Sequence, residues 1–160
     1  MTMTRSAQVT LPSETEVLIV RELDAPRELV WKAYTTPELV HRWWHARRGE
    51  ITAIEIDLRV GGRWRYAMTA ARGGFEVAFH GEYRELVPRE RIVSTEVYEG
   101  APENEALTTV TFAEVDGRTR LEIRQQVASR EVRDAILATG MEDGLQDALD
   151  LLEQVAAARR

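Results

Sequence analysis

The chain contains no cysteine. Disulfide staples, thiolate metal sites and cysteine nucleophiles are therefore excluded. It has no apolar run approaching the roughly 18 residues of a membrane span, and its opening "MTMTRSAQVTLPSET" lacks the apolar stretch of a signal peptide. A cytoplasmic protein without membrane association is expected. Lysine is nearly missing too: of 21 basic residues only Lys32 is not arginine. With 27 acidic residues the net charge is −6, which disfavours a nucleic-acid partner. Catalytic signatures are also absent, with no G-x-S-x-G elbow, phosphate loop or dinucleotide fingerprint.

What is present is enough chain for one sizeable core, since a domain of 160 residues buries roughly 70% of its unfolded surface. Residues 1–15 read as a flexible polar arm and 16–158 as a single domain. "EVLIVREL" has strand composition. "APRELVWKAYT" places Pro26 at a helix start, with Leu29, Val30, Ala33 and Tyr34 on one face. Thr36-Pro37-Glu38 opens a second short helix, expected over about 37–44. From Ile51 the apolar period becomes two. "RWRYAM" sends Trp64, Tyr66 and Met68 one way and Arg63 and Arg65 the other. Phe75, Val77, Phe79 and Tyr83 keep phase in the next segment, and Asp116-Gly117 predicts a hairpin turn. A helical period returns near Val132 and runs to Ala156, interrupted by Gly140 and Gly144, which point to a kink or a close approach. The order is strand, two helices, about six antiparallel strands and a closing helix, an α+β layout.

The stretch "HRWWH" concentrates two of four tryptophans and two of three histidines. His41 and His45 have the i, i+4 spacing of a helical metal pair, but the glutamate of H-E-x-x-H is replaced and no third ligand is spaced nearby. No metal is expected. Trp43 and Trp44 share an arc with Leu39 and Val40, which favours burial over base stacking.

Four segments together resemble a known family. "REL-DAPRELVWKAYTTPELVHRWW", "DLRVGGRWRYAM", "HGEYRELVPRERIVSTE" and "GMEDGLQDALDLLEQV" are similar, in order, to the activator-of-heat-shock-protein-ATPase homologue family of the START-like (SRPBCC, helix-grip) superfamily. Two departures stand out: Gly144-Leu145 replaces a common Gly-Trp, and Pro88-Arg89 a double proline. The resemblance implies a helix-grip fold, a curved antiparallel sheet of about seven strands wrapped around a long C-terminal helix, with two short helices after the first strand. Between sheet and helix it implies a cavity holding a small hydrophobic or aromatic molecule. Trp43, Trp44, Trp64, Tyr66, Met68, Phe79, Val110, Phe112, Met141, Leu145 and Leu149 are the expected lining, with Tyr66, Tyr83 or Arg65 as orienting groups.

No cofactor is implied, and the expected assembly is a monomer or homodimer. An enzyme of cyclase, aromatase or hydrolase type is the alternative, for which Asp57, Glu82, His80 and Tyr83 are the acid–base candidates. A protein-interaction or chaperone-linked module is the third reading.

Overall fold

The structure, a computed structural model, describes residues 6–159. Eight strands form one antiparallel sheet: β1 (Gln8–Thr10), β2 (Glu16–Leu23), β3 (Gly49–Ile56), β4 (Arg63–Ala70), β5 (Glu76–Val87), β6 (Arg91–Tyr98), β7 (Glu105–Val115) and β8 (Arg118–Gln126). Their spatial order is β1-β2-β8-β7-β6-β5-β4-β3. The helices are α1 (Arg27–Thr35), α2 (Pro37–Val40), α3 (Arg130–Ala138) and α4 (Met141–Ala157). This is the α+β helix-grip arrangement, a curved sheet with the C-terminal helix packed on it. Among the described residues no helix is long and apolar enough to cross a membrane.

In "RWRYAM" Trp64 is buried and Arg63 exposed, but Ala67 is buried while Met68 is only partly so, so burial does not alternate strictly along β4. β7 and β8 turn at Asp116 and Gly117, both with positive φ (53° and 78°), as their dipeptide predicts. In β3 the register slips between Ile51 and Ala53, leaving Thr52 as a bulge.

Three local expectations are corrected. Residues 8–10, expected within a loose arm, pair with β2. Gln146 on α4 holds them there, its side chain accepting from Ala7 N–H at 2.9 Å and donating to Ala7 C=O at 2.7 Å. Residues 1–5 of that arm lie outside the described residues. The second helix ends at Val40 rather than near 44, and the chain runs on through turns. Ala46 (φ 52°) and Arg47 (φ 60°) then enter the left-handed region, which a continuing helix forbids. The closing helix is two helices, divided at Gly140, whose φ of 76° is costly for any residue with a Cβ. Ser129 caps α3, accepting from Val132 N–H.

A buried ion pair fixes α4 across the sheet. Arg21 on β2, 1% exposed, donates to Asp150 at 2.7 Å and lies 3.5 Å from Glu153. Glu153 also accepts from Asp24 N–H at 2.7 Å.

Candidate functional site

Register decides which side chains meet on the inner face of the sheet. Ile19, Ile123, Val110 and Ile92 stand opposite one another on β2, β8, β7 and β6, forming an apolar row. In the neighbouring row stand Gln125, Thr108, Ser94 and Tyr83, a polar belt across β8, β7, β6 and β5. Glu96 lies two residues beyond Ser94 on the same face. Aromatic side chains of β4 and β5 occupy the far side of the belt, where Trp64 and Tyr66 rings lie 5.0 Å apart.

Between this face and α4 lies a cavity of about 370 Å³. Ten of the eleven expected lining residues do line it: Trp43, Trp44, Trp64, Tyr66, Met68, Phe79, Val110, Met141, Leu145 and Leu149. Phe112 does not. It shares the inward phase of β7, but lies where α1 packs on the sheet, and Trp31 and Tyr34 close over it edge-on at 5.3 and 5.5 Å. Position along the strand, not face, separates it from the cavity.

The two tryptophans of "HRWWH" divide their work. Trp43 is 5% exposed and anchored, its Nε1–H donating to Ala33 C=O at 3.0 Å, while its ring lies 5.2 Å from Tyr34. Trp44 reaches into the cavity, edge-on to Tyr66 at 5.5 Å and to Phe79 at 6.0 Å. Of the histidines, His45 serves the turn. His45 Nδ1 accepts from Arg47 N–H at 2.9 Å, so Nε2 carries the proton and faces Arg42 C=O at 3.1 Å. No cluster of three metal-binding side chains exists among the described residues. Arg48, at the end of this loop, lines the cavity, is 42% exposed, and bonds to Asp147 on α4 and to Ala46 C=O.

Of the orienting groups expected from sequence, Tyr66 and Tyr83 face the cavity, whereas Arg65 lies on the outer face in a 2.9 Å ion pair with Glu99. His80 bonds to the same carboxylate at 2.9 Å. Together Arg65 and His80 hold Glu99 down to about 2. Asp57 pairs with Arg59 and Glu82 with Arg84, all substantially exposed. Of the four acid–base candidates only Tyr83 points inward.

The interior carboxyl is Glu96, which sequence reasoning passed over. Burial pushes it up to about 7, against a hydrogen bond from Gln125 Nε2 at 2.8 Å that pulls it down. Burial likewise pushes the Tyr34, Tyr66 and Tyr83 phenols upward, with Glu96 adding to the effect on Tyr34 and Tyr66. They are neutral at physiological pH. Glu96 is partly buried and is among the residues lining the cavity. Three further polar atoms of lining residues, Trp64 Nε1, Thr108 Oγ1 and Gln125 Oε1, are buried with no hydrogen-bond partner among the described residues. Gly81 makes room beside them, because a Cβ there would fall 1.8 Å from Thr95 C=O and 2.7 Å from Trp64 Nε1.

Comparison with known proteins agrees with this architecture. A crystal structure of a Rhodobacter sphaeroides protein is similar with a TM-score of 0.88 at 28% identity, covering 96% of this chain and 99% of the other. One from Chromobacterium violaceum has a TM-score of 0.75 at 31% identity, covering 88% and 96%. An Aeromonas hydrophila protein described as AHSA1-like shares the fold, with a TM-score of 0.66 at 24% identity over 90% and 93% of the two chains. No curated protein matches the chain. The model of the family described as "Activator of Hsp90 ATPase homolog 1-like protein" matches residues 24–157, and the chain belongs to that family.

Proposed function

We propose that this protein binds a small, largely aromatic or apolar molecule in the cavity between the sheet and α4. The observation carrying this reading is the cavity itself, with aromatic walls and a polar belt on its floor. An engineered cavity of about 150 Å³ takes up one benzene, so 370 Å³ accommodates a molecule of two rings. Held dry and empty, such a volume would cost about 9 kcal/mol at about 24 cal/mol per Å³, comparable with the whole stability of a typical domain. Water can serve the polar belt but gains nothing against Trp44, Tyr66 and Phe79. Apolar walls with a few convergent polar groups are the usual composition of a small-molecule site.

The test is native mass spectrometry of freshly purified protein, followed by extraction under denaturing conditions, together with thermal melting against a panel of one- and two-ring compounds. A small-molecule mass lost on denaturation, or a melting temperature raised by panel members, supports the reading. An apo mass combined with no stabilisation by any compound overturns it.

A further inference from the structure

The polar end of the cavity has a one-sided chemistry. Glu96 is an interior carboxyl whose hydrogen bond, among the described residues, comes from the neutral amide of Gln125. No arginine, lysine or histidine forms an ion pair with it among the described residues. The cation that does line the cavity, Arg48, is already engaged by Asp147 and Ala46 C=O. Beside Glu96, Gln125 presents a second acceptor, Oε1, buried and unused. A buried carboxylate with no counter-charge is unfavourable unless something supplies one.

The rings around it provide a matching environment. Trp44 is edge-on to Tyr66 and Phe79, and Trp64 lies beside Tyr66, so several aromatic side chains converge on the same space. The face of an aromatic ring attracts a cation, most strongly for tryptophan. Among the described residues lining the cavity, an anionic ligand would meet Glu96 and neutral phenols, and the one cation, Arg48, is paired with Asp147.

We propose that the molecule held in this cavity carries a protonated basic nitrogen, received by Glu96 and Gln125 Oε1 beneath the aromatic rings of Trp44, Trp64 and Tyr66. The proposal rests on the ligand-binding reading above and names its substrate class: an amine or basic heterocycle on an aromatic frame. The titratable groups facing Glu96 from neighbouring elements are Tyr34 on α1, Tyr66 on β4 and Tyr83 on β5, all neutral phenols, with Arg48 committed at the loop after α2. Glu96 is therefore the group whose ionisation governs amine binding near neutrality, and its shift up to about 7 places that ionisation within reach of experiment.

Three probes of one shape separate the possibilities: 2-naphthylmethylamine (cationic), 2-naphthylmethanol (neutral) and 2-naphthoate (anionic). Their binding is measured by isothermal titration to wild type and to Glu96→Gln, at about pH 8 and about pH 6. Gln keeps the acceptor for Gln125 Nε2, and the wild-type pH comparison needs no variant. At about pH 8 the amine is expected to bind at least about tenfold tighter than the alcohol. That preference falls about tenfold at pH 6, where Glu96 must first lose a proton. Glu96→Gln is expected to lose the preference for the amine over the alcohol, and with it the pH dependence of that preference. Equal affinities for amine and alcohol, or tightest binding of the naphthoate, overturn this proposal while leaving the ligand-binding reading standing. If none of the three binds at either pH, this proposal falls, while the ligand-binding reading is decided by the native mass and the melting panel.

Discussion

Glu96 makes the ligand-free protein weaker at alkaline pH, and the size of the effect follows from its surroundings. In the unfolded chain its carboxyl has the ordinary value of 4.5; in the folded cavity burial raises it to about 7. Between those values the folded state keeps a proton that the unfolded state has released. Stability therefore falls as pH rises, by about 1.4 kcal/mol per pH unit. It is fully present below 4.5, and the loss is complete above about 7, reaching about 3 kcal/mol. Glu96→Gln removes the titration while preserving volume and the bond from Gln125. After refolding from urea to free both proteins of small molecules, urea unfolding is followed by tryptophan fluorescence at pH 5 and pH 8. Near pH 5 the Gln variant should be more stable by only about 0.8 kcal/mol; at pH 8 the margin should reach about 3 kcal/mol. In melting temperature that is about 6–12 °C for a chain of this size. Glu99, held down to about 2, titrates below this window and with the opposite sign, and it cancels in the comparison of variant with wild type. A difference that stays flat from pH 5 to pH 8 would refute the assignment of Glu96 as an interior, unpaired carboxyl.

Other substitutions probe the frame around the site. Gly144→Ala should stabilise α4 by about 0.5–1 kcal/mol in thermal melts, because the added Cβ meets only Arg48, at 3.7 Å and beyond. Gly81→Ala should destabilise by about 3 kcal/mol or more, or fail to fold, because its Cβ would overlap the backbone oxygen of Thr95; a soluble variant with an unchanged urea midpoint would contradict the close approach of β5 to β6. Asp150→Ala removes the 2.7 Å partner of the buried Arg21 guanidinium, leaving Glu153 at 3.5 Å, and should cost about 2 kcal/mol. Arg21→Met, which removes the charge and leaves carboxylates with access to water, should cost less, and the reverse order in urea unfolding would refute that account.

The fold was legible because its signals are periodic. Trp64, Tyr66 and Met68 against Arg63 and Arg65 specify both a strand and its inward face, and Asp116-Gly117 specifies a turn that its backbone adopts. The cavity wall followed from the same alternation, helped by the family resemblance. Phe112 escaped that logic because phase says which face a side chain takes and nothing of where along the strand a helix covers it. Glu96 escaped for a different reason. On β6 the inward set Ile92, Ser94 and Glu96 is more polar than the opposite set Val93, Thr95 and Val97, so hydropathy favours the wrong face. Only register against Thr108 and Gln125 reveals that the belt runs inside. Tyr34 was legible as part of an apolar helix face, but not as a cavity wall, since that depends on how α1 crosses the sheet.

An open eight-stranded sheet has two free margins, and each is a potential template for another chain. Here neither is a good one. Among the described residues, β1 is three residues long and pairs only Leu18–Val20 of β2, so it is too brief to seed an extended ladder. The margin at β3 is longer, but Thr52 bulges out of its middle and interrupts the regular spacing of donors and acceptors that an incoming strand would need. Growth of the sheet from molecule to molecule is thus discouraged at both sides, by shortness at one and irregularity at the other. Beside its concave face, the sheet thus presents rims that, among the described residues, give an incoming strand little regular length to pair with.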